Sequence, residues 1–295
     1  MSEPESTIHA AGCEADNAVK LPLIGRRADT ERKVVCIGDV PFGGDRFAVI
    51  AGPCAVESKS MLDATAEAVA QRGANVLRGG AFKPRTSPYS FQGVGLKGVE
   101  MMHRTSREQG IPFVTEVMAP SLVEEMAPLV DAFQIGARNM QNIPLLQAVG
   151  GTDRPVVLKR NFGASVTEWL LAAEHIACAG NDAIILCERG IRSFGDETRF
   201  TLDVAGAMWA RRRSRLPVIF DPSHAIGIPA LLAQAASAGL AAGLDGVMVE
   251  VHPRPEAAKC DGEQALTTDQ FAALIDRLHA FAVERPLHPT SRSHS

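Results

Sequence analysis

Eight short apolar runs punctuate the chain: FAVIAGPC (47–54), ANVLRGG (74–80), PFVTEV (112–117), AFQIGAR (132–138), PVVLKR (155–160), DAIILCER (182–189), PVIFDPSH (217–224) and GVMVEVHP (246–253). Continuous apolar runs of this length, rich in β-branched residues, suit strands buried on both faces. The segments between them alternate apolar and polar positions at helical spacing. SKSMLDATAEAVAQRG opens on Ser58 and closes at Gly73, a cap-to-cap helix. SVTEWLLAAEHIACAG sets Ser165 three residues before Glu168, a capping-box spacing, and stops at Gly180. Strand–helix alternation repeated in this way predicts a closed parallel (β/α)8 barrel. No glycine-rich GxGxxG turn comes directly after one of these runs, so the competing open sheet with a dinucleotide site has no support from such a motif. Just ahead of the first run, KVVCIGDVPFGGDRFAVI reads as a hairpin turning at Gly43-Gly44 that caps the bottom of the barrel. The expected organisation is a flexible polar arm over 1–33, one catalytic barrel with its hairpin over 34–283, and a polar tail over 284–295.

Composition narrows the function. A net charge of -4 gives no reason to expect a nucleic-acid or membrane-surface partner, so any anion site must come from local concentrations of Lys and Arg. No apolar stretch reaches the ~18 residues of a membrane span. The first residues lack the charged start and apolar core of a secretory signal, which points to the cytoplasm. The six cysteines form no CxxC pair, so no zinc-finger cluster is present and free thiols are expected.

Polar residues stand at the C-terminal ends of nearly all the runs, where barrel enzymes build their active sites. Arg78, Lys83, Arg85, Arg138, Lys159, Arg160, Arg189 and Arg192 would converge at that rim. Such crowding is unfavourable unless anions occupy it, and Arg and Lys suit phosphate and carboxylate. The rim therefore predicts substrates with several anionic groups. Cys54, His224, Glu250 and Asp261 are a candidate set for a divalent metal with mixed sulfur, nitrogen and oxygen ligands. Each also has a plain structural alternative: a small buried thiol, a helix-capping imidazole, rim ion pairs. Spacing alone does not choose these four over Asp221, His252 or Glu188.

The motifs are more specific. AGPCAVES (51–58), LRGGAFKPRTSPYSFQG (77–93), QIGARNMQN (134–142), ILCERGIRSF (185–194), DPSHAIG (221–227) and VEVHP (249–253) resemble the 3-deoxy-D-arabino-heptulosonate 7-phosphate (DAHP) synthases. The likeness is to the short-chain group related to 3-deoxy-D-manno-octulosonate 8-phosphate synthases, and it runs from about residue 34 to 280. It implies condensation of phosphoenolpyruvate with D-erythrose 4-phosphate, the entry step of the shikimate pathway. It implies one divalent metal (Mn, Fe, Co or Zn) on Cys54, His224, Glu250 and Asp261. It assigns phosphoenolpyruvate to Arg78, Lys83, Arg138, Lys159 and Arg189, and the aldose phosphate to Arg85, Thr86 and Asp221. Lys83 and His224 would be catalytic, and the chain a homotetramer or homodimer. A Schiff-base role for Lys159 is the rival, disfavoured by Arg160 and a neighbouring phosphate, because a nucleophilic lysine needs a lowered pKa.

Two segments depart from the pattern: IPALL (228–232) replaces the usual basic residues after DPSHAIG, and KRNFGAS (159–165) lacks a common methionine. Both bear on the aldose pocket or the subunit contacts. The residues before the hairpin are too few for a fused regulatory or mutase domain, so a core enzyme without a regulatory domain of its own is expected. The alternatives are an octulosonate 8-phosphate synthase or variant using another aldose phosphate, and a non-catalytic barrel that binds phospho-sugars. The KPRTS segment favours the four-carbon aldose.

Overall fold

The computed structural model describes residues 19–27, 30–85, 87–282 and 286–289. A two-stranded antiparallel hairpin comes first, β1 (Val35–Ile37) and β2 (Val40–Phe42). Each of the eight apolar runs then supplies one parallel strand: β3 (Ala48–Gly52), β4 (Val76–Arg78), β5 (Phe113–Glu116), β6 (Ala132–Ile135), β7 (Val156–Lys159), β8 (Ile184–Glu188), β9 (Val218–Phe220) and β10 (Gly246–Glu250). They close into a barrel in sequence order, with β10 against β3 from Gly246↔Ala48 to Glu250↔Gly52. That last pair matters for the site, because it sets the end of β10 two residues from Cys54.

The crossovers are helical: α1 (Lys59–Arg72), α2 (Leu96–Gln109), α3 (Val123–Met126), α4 (Ile143–Gly150), α5 (Val166–Cys178), α6 (Val204–Arg213), α7 (Pro222–Ile226), α8 (Pro229–Ala241) and α9 (Thr268–Phe281). Their ends follow the local signals. Ser58 accepts from the Met61 amide at the start of α1, and Gly73 ends it at φ 112. Ser165 and Glu168 form the reciprocal capping box at α5, of a kind in which an N-cap contributes about 1 kcal/mol. No helix among the described residues is long and apolar enough to cross a membrane.

Alternation along each strand divides the core in two. One set of side chains, including Val49, Leu77, Phe133, Leu158 and Val249, packs between sheet and helices. The other, including Ile50, Val76, Val114, Val157, Ile185, Ile219 and Met248, fills the barrel interior. Val35, Ile37, Val40 and Phe42 of the hairpin belong to this interior cluster, so the hairpin plugs the barrel as expected. Its turn is elsewhere than expected. Ile37 pairs with Val40, and the tight turn is Gly38-Asp39, with Gly38 at φ 58. A glycine with positive φ at the first central position is what a II′ hairpin turn requires, and it matches the strand twist. Gly43-Gly44 only leads from β2 towards β3.

Part of the expected arm is packed. Gly25 bridges to Ser214, Ile24 is fully buried, and the Glu174 carboxylate accepts from the Leu23 and Ile24 amides. Near the other end, Leu287 bridges to Phe47 and is buried.

Candidate active site

Two residues beyond the innermost apolar layer, on the same face of each strand, come Arg78, Glu116, Gln134, Lys159, Arg189, Asp221 and Glu250, all buried. Arg78, Glu116, Gln134, Lys159 and Arg189 form the floor of a cavity of about 390 Å³ at the C-terminal mouth of the barrel, while Asp221 and Glu250, fully buried, are not on its wall. The β4–α2 loop adds Lys83 and Arg85 to its wall. The β6–α4 loop adds Arg138, the β8–α6 loop Arg199, and the segment after β10 Cys260 and Asp261. Gly136 keeps this floor open to Glu116, since a Cβ there would lie 1.9 Å from Glu116 Oε1.

Cys54, His224, Glu250 and Asp261 come together. One ligand atom from each lies within 4.8 Å of the other three, a thiol sulfur, an imidazole nitrogen and two carboxylate oxygens. That donor set fits a divalent transition ion. Cys54 Sγ is 3.3 Å from Asp261 Oδ2, and His224 Nε2 is 3.4 Å from Glu250 Oε1. Asp261 sits at φ 51, in the left-handed region that Asp tolerates better than most residues. The alternatives left open by spacing fall away from the cluster. His252 Nε2 lies 3.8 Å from Glu57, and Glu188 faces the helices, accepting from the Gly190 amide at 2.7 Å. Asp221 is fully buried behind His224. Its Oδ1 accepts from the His224 amide, and its Oδ2 lies 2.7 Å from His224 Nδ1 and 2.5 Å from Lys159 Nζ.

Burial alone would raise the Glu250 carboxyl, but His224 and Arg78, whose Nη1 is 2.6 Å away, hold it far below the ordinary carboxylate range. Asp221 is likewise pulled well down against burial, by His224 and Lys159. Burial lowers His224 and favours the neutral, ligating imidazole. Lys83 Nζ lies 3.1 Å from Cys54 Sγ; burial would lower it, yet the neighbouring sulfur raises it, so the ammonium persists. Cys54 and Cys260 are 3.5 Å apart, sulfur to sulfur. Their hydrogen bond holds the proton on Cys54, which burial raises further, and pulls Cys260 down.

Seven cations line the cavity, Arg78, Lys83, Arg85, Arg138, Lys159, Arg189 and Arg199, against the carboxylates of Glu116 and Asp261. Arg189 is the clearest invitation to an anion: its buried Nη1 has no hydrogen-bond partner, and burial lowers its pKa. All five residues expected to meet phosphoenolpyruvate are on this wall, as is Arg85, which donates to Cys260 Sγ. Thr86 lies outside the described residues. Two rim cations do not converge. Arg160 turns to the helix side, bonded to Asp203 at 2.7 Å and lying over Trp169, and exposed Arg192 lies over Phe162. Alternation explains the first: Lys159 points into the barrel, so its neighbour must point out. Arg199 and Gln264 belong to the site and were not anticipated. Neither follows a strand directly, and only the loops that carry them bring them in.

Fold and site together define a (β/α)8-barrel enzyme class in which polyanionic substrates meet a metal-type donor cluster at the C-terminal mouth. The chain belongs to the DAHP synthetase I family, whose sequence profile matches residues 27–281. It is 45% identical over 260 residues to the phospho-2-dehydro-3-deoxyheptonate aldolase of Thermotoga maritima, covering 88% of this chain and 77% of that protein. The crystal structure of that DAHP synthase superposes with a TM-score of 0.87 at 44% identity, over 90% of this chain and 78% of the other. A truncated form of the T. maritima 3-deoxy-D-arabino-heptulosonate 7-phosphate synthase gives 0.84 at 40% identity, over 91% and 99%. The 2-dehydro-3-deoxyphosphooctonate aldolase of Magnetococcus marinus is more distant, 32% identical over 84% of this chain and 92% of that protein.

Proposed function

We propose that the chain is a 3-deoxy-7-phosphoheptulonate synthase, joining phosphoenolpyruvate and D-erythrose 4-phosphate. The observation that carries this reading is that the cavity lined by seven cations is also lined by His224 and Asp261, two members of the sulfur–nitrogen–oxygen donor cluster. The cations account for two phosphorylated substrates, the cluster for an aldehyde that must be activated.

Cys54, His224, Glu250 and Asp261 would hold one divalent ion, Mn, Fe, Co or Zn. When bound, it supplies Lewis-acid polarisation of the aldehyde oxygen. Arg78, Lys83, Arg138, Lys159 and Arg189 hold the phosphate and carboxylate of phosphoenolpyruvate. Arg85 and Thr86 receive the aldose phosphate. The clamps hold two mutually repelling anions in contact, which is a positioning contribution. The enol carbon bonds to the aldehyde carbon, water adds to the carbon bearing phosphate, and carbon–oxygen cleavage releases inorganic phosphate. Lys83 keeps its ammonium beside Cys54 and faces the anion; Asp221, behind the wall, orients His224 and Lys159. The 2.5 Å ion pair of Lys159 with Asp221 suits a fixed positive charge better than an imine. We read residues 34–283 as one catalytic unit, working in the cytoplasm as a homotetramer or homodimer.

The test is consumption of phosphoenolpyruvate with erythrose 4-phosphate, arabinose 5-phosphate and ribose 5-phosphate in turn. Turnover with erythrose 4-phosphate and Mn²⁺ is expected; its absence sinks the proposal. Preference for arabinose 5-phosphate would favour the octulosonate reading, to which the 32% identical relatives belong. His224→Ala should abolish turnover, which a non-catalytic phospho-sugar barrel would not register.

A further inference from the structure

The two oxygens of Glu250 are held differently. Oε1 faces the cluster, 2.6 Å from Arg78 Nη1 and 3.4 Å from His224 Nε2. Oε2 accepts a 2.5 Å hydrogen bond from Gln264 Nε2. Gln264 is itself buried, and its Oε1 accepts from Nη1 of Arg199. The orientation of this amide follows from its neighbours: an ionised carboxylate only accepts, and a guanidinium only donates. A carboxamide satisfies both at once, and it does so without adding charge to a crowded site.

The backbone brings Gln264 there independently of those bonds. A 3-10 turn, Gly262–Gln264, starts at Asp261. Directly after it Leu266 runs parallel to the end of β10, donating from its amide to Glu250 O at 2.8 Å and accepting from the His252 amide at 2.9 Å. One short segment therefore presents the Asp261 carboxylate to the cluster and the Gln264 amide to Glu250. On the far side, Arg199 and Phe200 donate from their amides to Ile226 O at 3.0 Å and Ala225 O at 2.6 Å. This pins the Arg199 loop to α7, the helix that carries His224.

We propose that Gln264 is a positioning residue for metal binding. By engaging Oε2 it directs Oε1 of Glu250 to the metal, and Arg199 fixes the amide that does so. The proposal rests on the reading of Cys54, His224, Glu250 and Asp261 as metal ligands.

Gln264→Met removes both bonds at nearly constant volume, and Gln264→Asn keeps a carboxamide but shortens its reach. Mn²⁺ affinity, titrated through the electron paramagnetic resonance of the free ion, should fall about tenfold to a hundredfold in each. Saturating Mn²⁺ should restore kcat, with KM for phosphoenolpyruvate unchanged. Wild-type Mn²⁺ affinity in both variants overturns the proposal, and so does a kcat that stays low at saturating Mn²⁺. Stabilisation of the metal-free variants by phosphoenolpyruvate in a thermal melt distinguishes a local effect from misfolding. If both variants misfold, Arg199→Lys, at an exposed side chain, carries the test: it should weaken Mn²⁺ binding in the same direction, and unchanged affinity overturns the proposal. A wild-type chain that binds no Mn²⁺ overturns the ligand reading itself, an outcome distinct from unaltered variants.

Discussion

Asp221 holds His224 twice. The His224 amide donates to Oδ1 at 3.0 Å, while its Nδ1 lies 2.7 Å from Oδ2, which also takes Lys159 Nζ. A carboxylate against Nδ1 keeps the proton there and turns a bare Nε2 to the cluster. Asp221→Asn keeps the shape, but an amide donating to Nδ1 reverses the tautomer. Mn²⁺ affinity and kcat/KM are expected to fall about 10–100-fold. Metal titration and steady-state assays check this; an undisturbed variant would show that Asp221 does not orient the imidazole.

Glu188 is fully buried on the helix side of β8, with Oε2 unpartnered, and burial pushes its carboxyl up to about 7. The unfolded chain ionises near the ordinary Glu value, about 4.3. Between these values the folded state holds more protons than the unfolded one, so this group lowers stability as pH rises from about 4.3 to about 7 and no further above. Glu188→Gln removes this dependence. The unfolding free energy of the variant should gain on wild type by roughly 2–3 kcal/mol between pH 5 and 8. Urea denaturation at the two pH values measures the difference, and parallel pH profiles would contradict the prediction.

Phe42 of the hairpin is fully buried in the barrel interior. Phe42→Ala leaves a cavity far from the mouth and should cost about 3–5 kcal/mol. The thermal midpoint should drop while KM for both substrates holds at permissive temperature. A large change in KM would place the hairpin's role at the active site instead.

Cys54 and Cys260 are close enough to couple when no metal occupies Cys54. Hydrogen peroxide should oxidise the metal-free chain to a Cys54–Cys260 disulfide, each thiol losing one hydrogen while the peroxide is reduced to water. Peptide mass spectrometry should find that bridge, and bound Mn²⁺ or Cys260→Ser should prevent it. Sulfinic acid without a bridge would argue against the pairing.

The barrel was legible because its signals are local. Runs such as PVVLKR and DAIILCER carry their own strand tendency, and Ser165 with Glu168 writes its own helix start. The hairpin turn was misplaced because KVVCIGDVPFGG offers two glycine-containing turns, and only the pairing of Ile37 with Val40 selects Gly38-Asp39. Among the rim residues, Lys159 and Arg160, or Glu188 and Arg189, are adjacent charged candidates. Strand parity sends one of each pair into the cavity and the other behind the wall.

The sequence by itself determined the alternation of strands and helices, the rim chemistry and, through its motifs, the family. Tertiary structure alone decided which polar side chains share a cavity, because barrel closure sets β10 beside β3 and so joins Glu250 and Asp261 to a cysteine some two hundred residues earlier. It also brought Arg199 and Gln264 into contact with the site from loops whose local sequence carries no sign of it. Local propensity reaches along a turn or a strand; proximity across a closed sheet is a property of the whole ring.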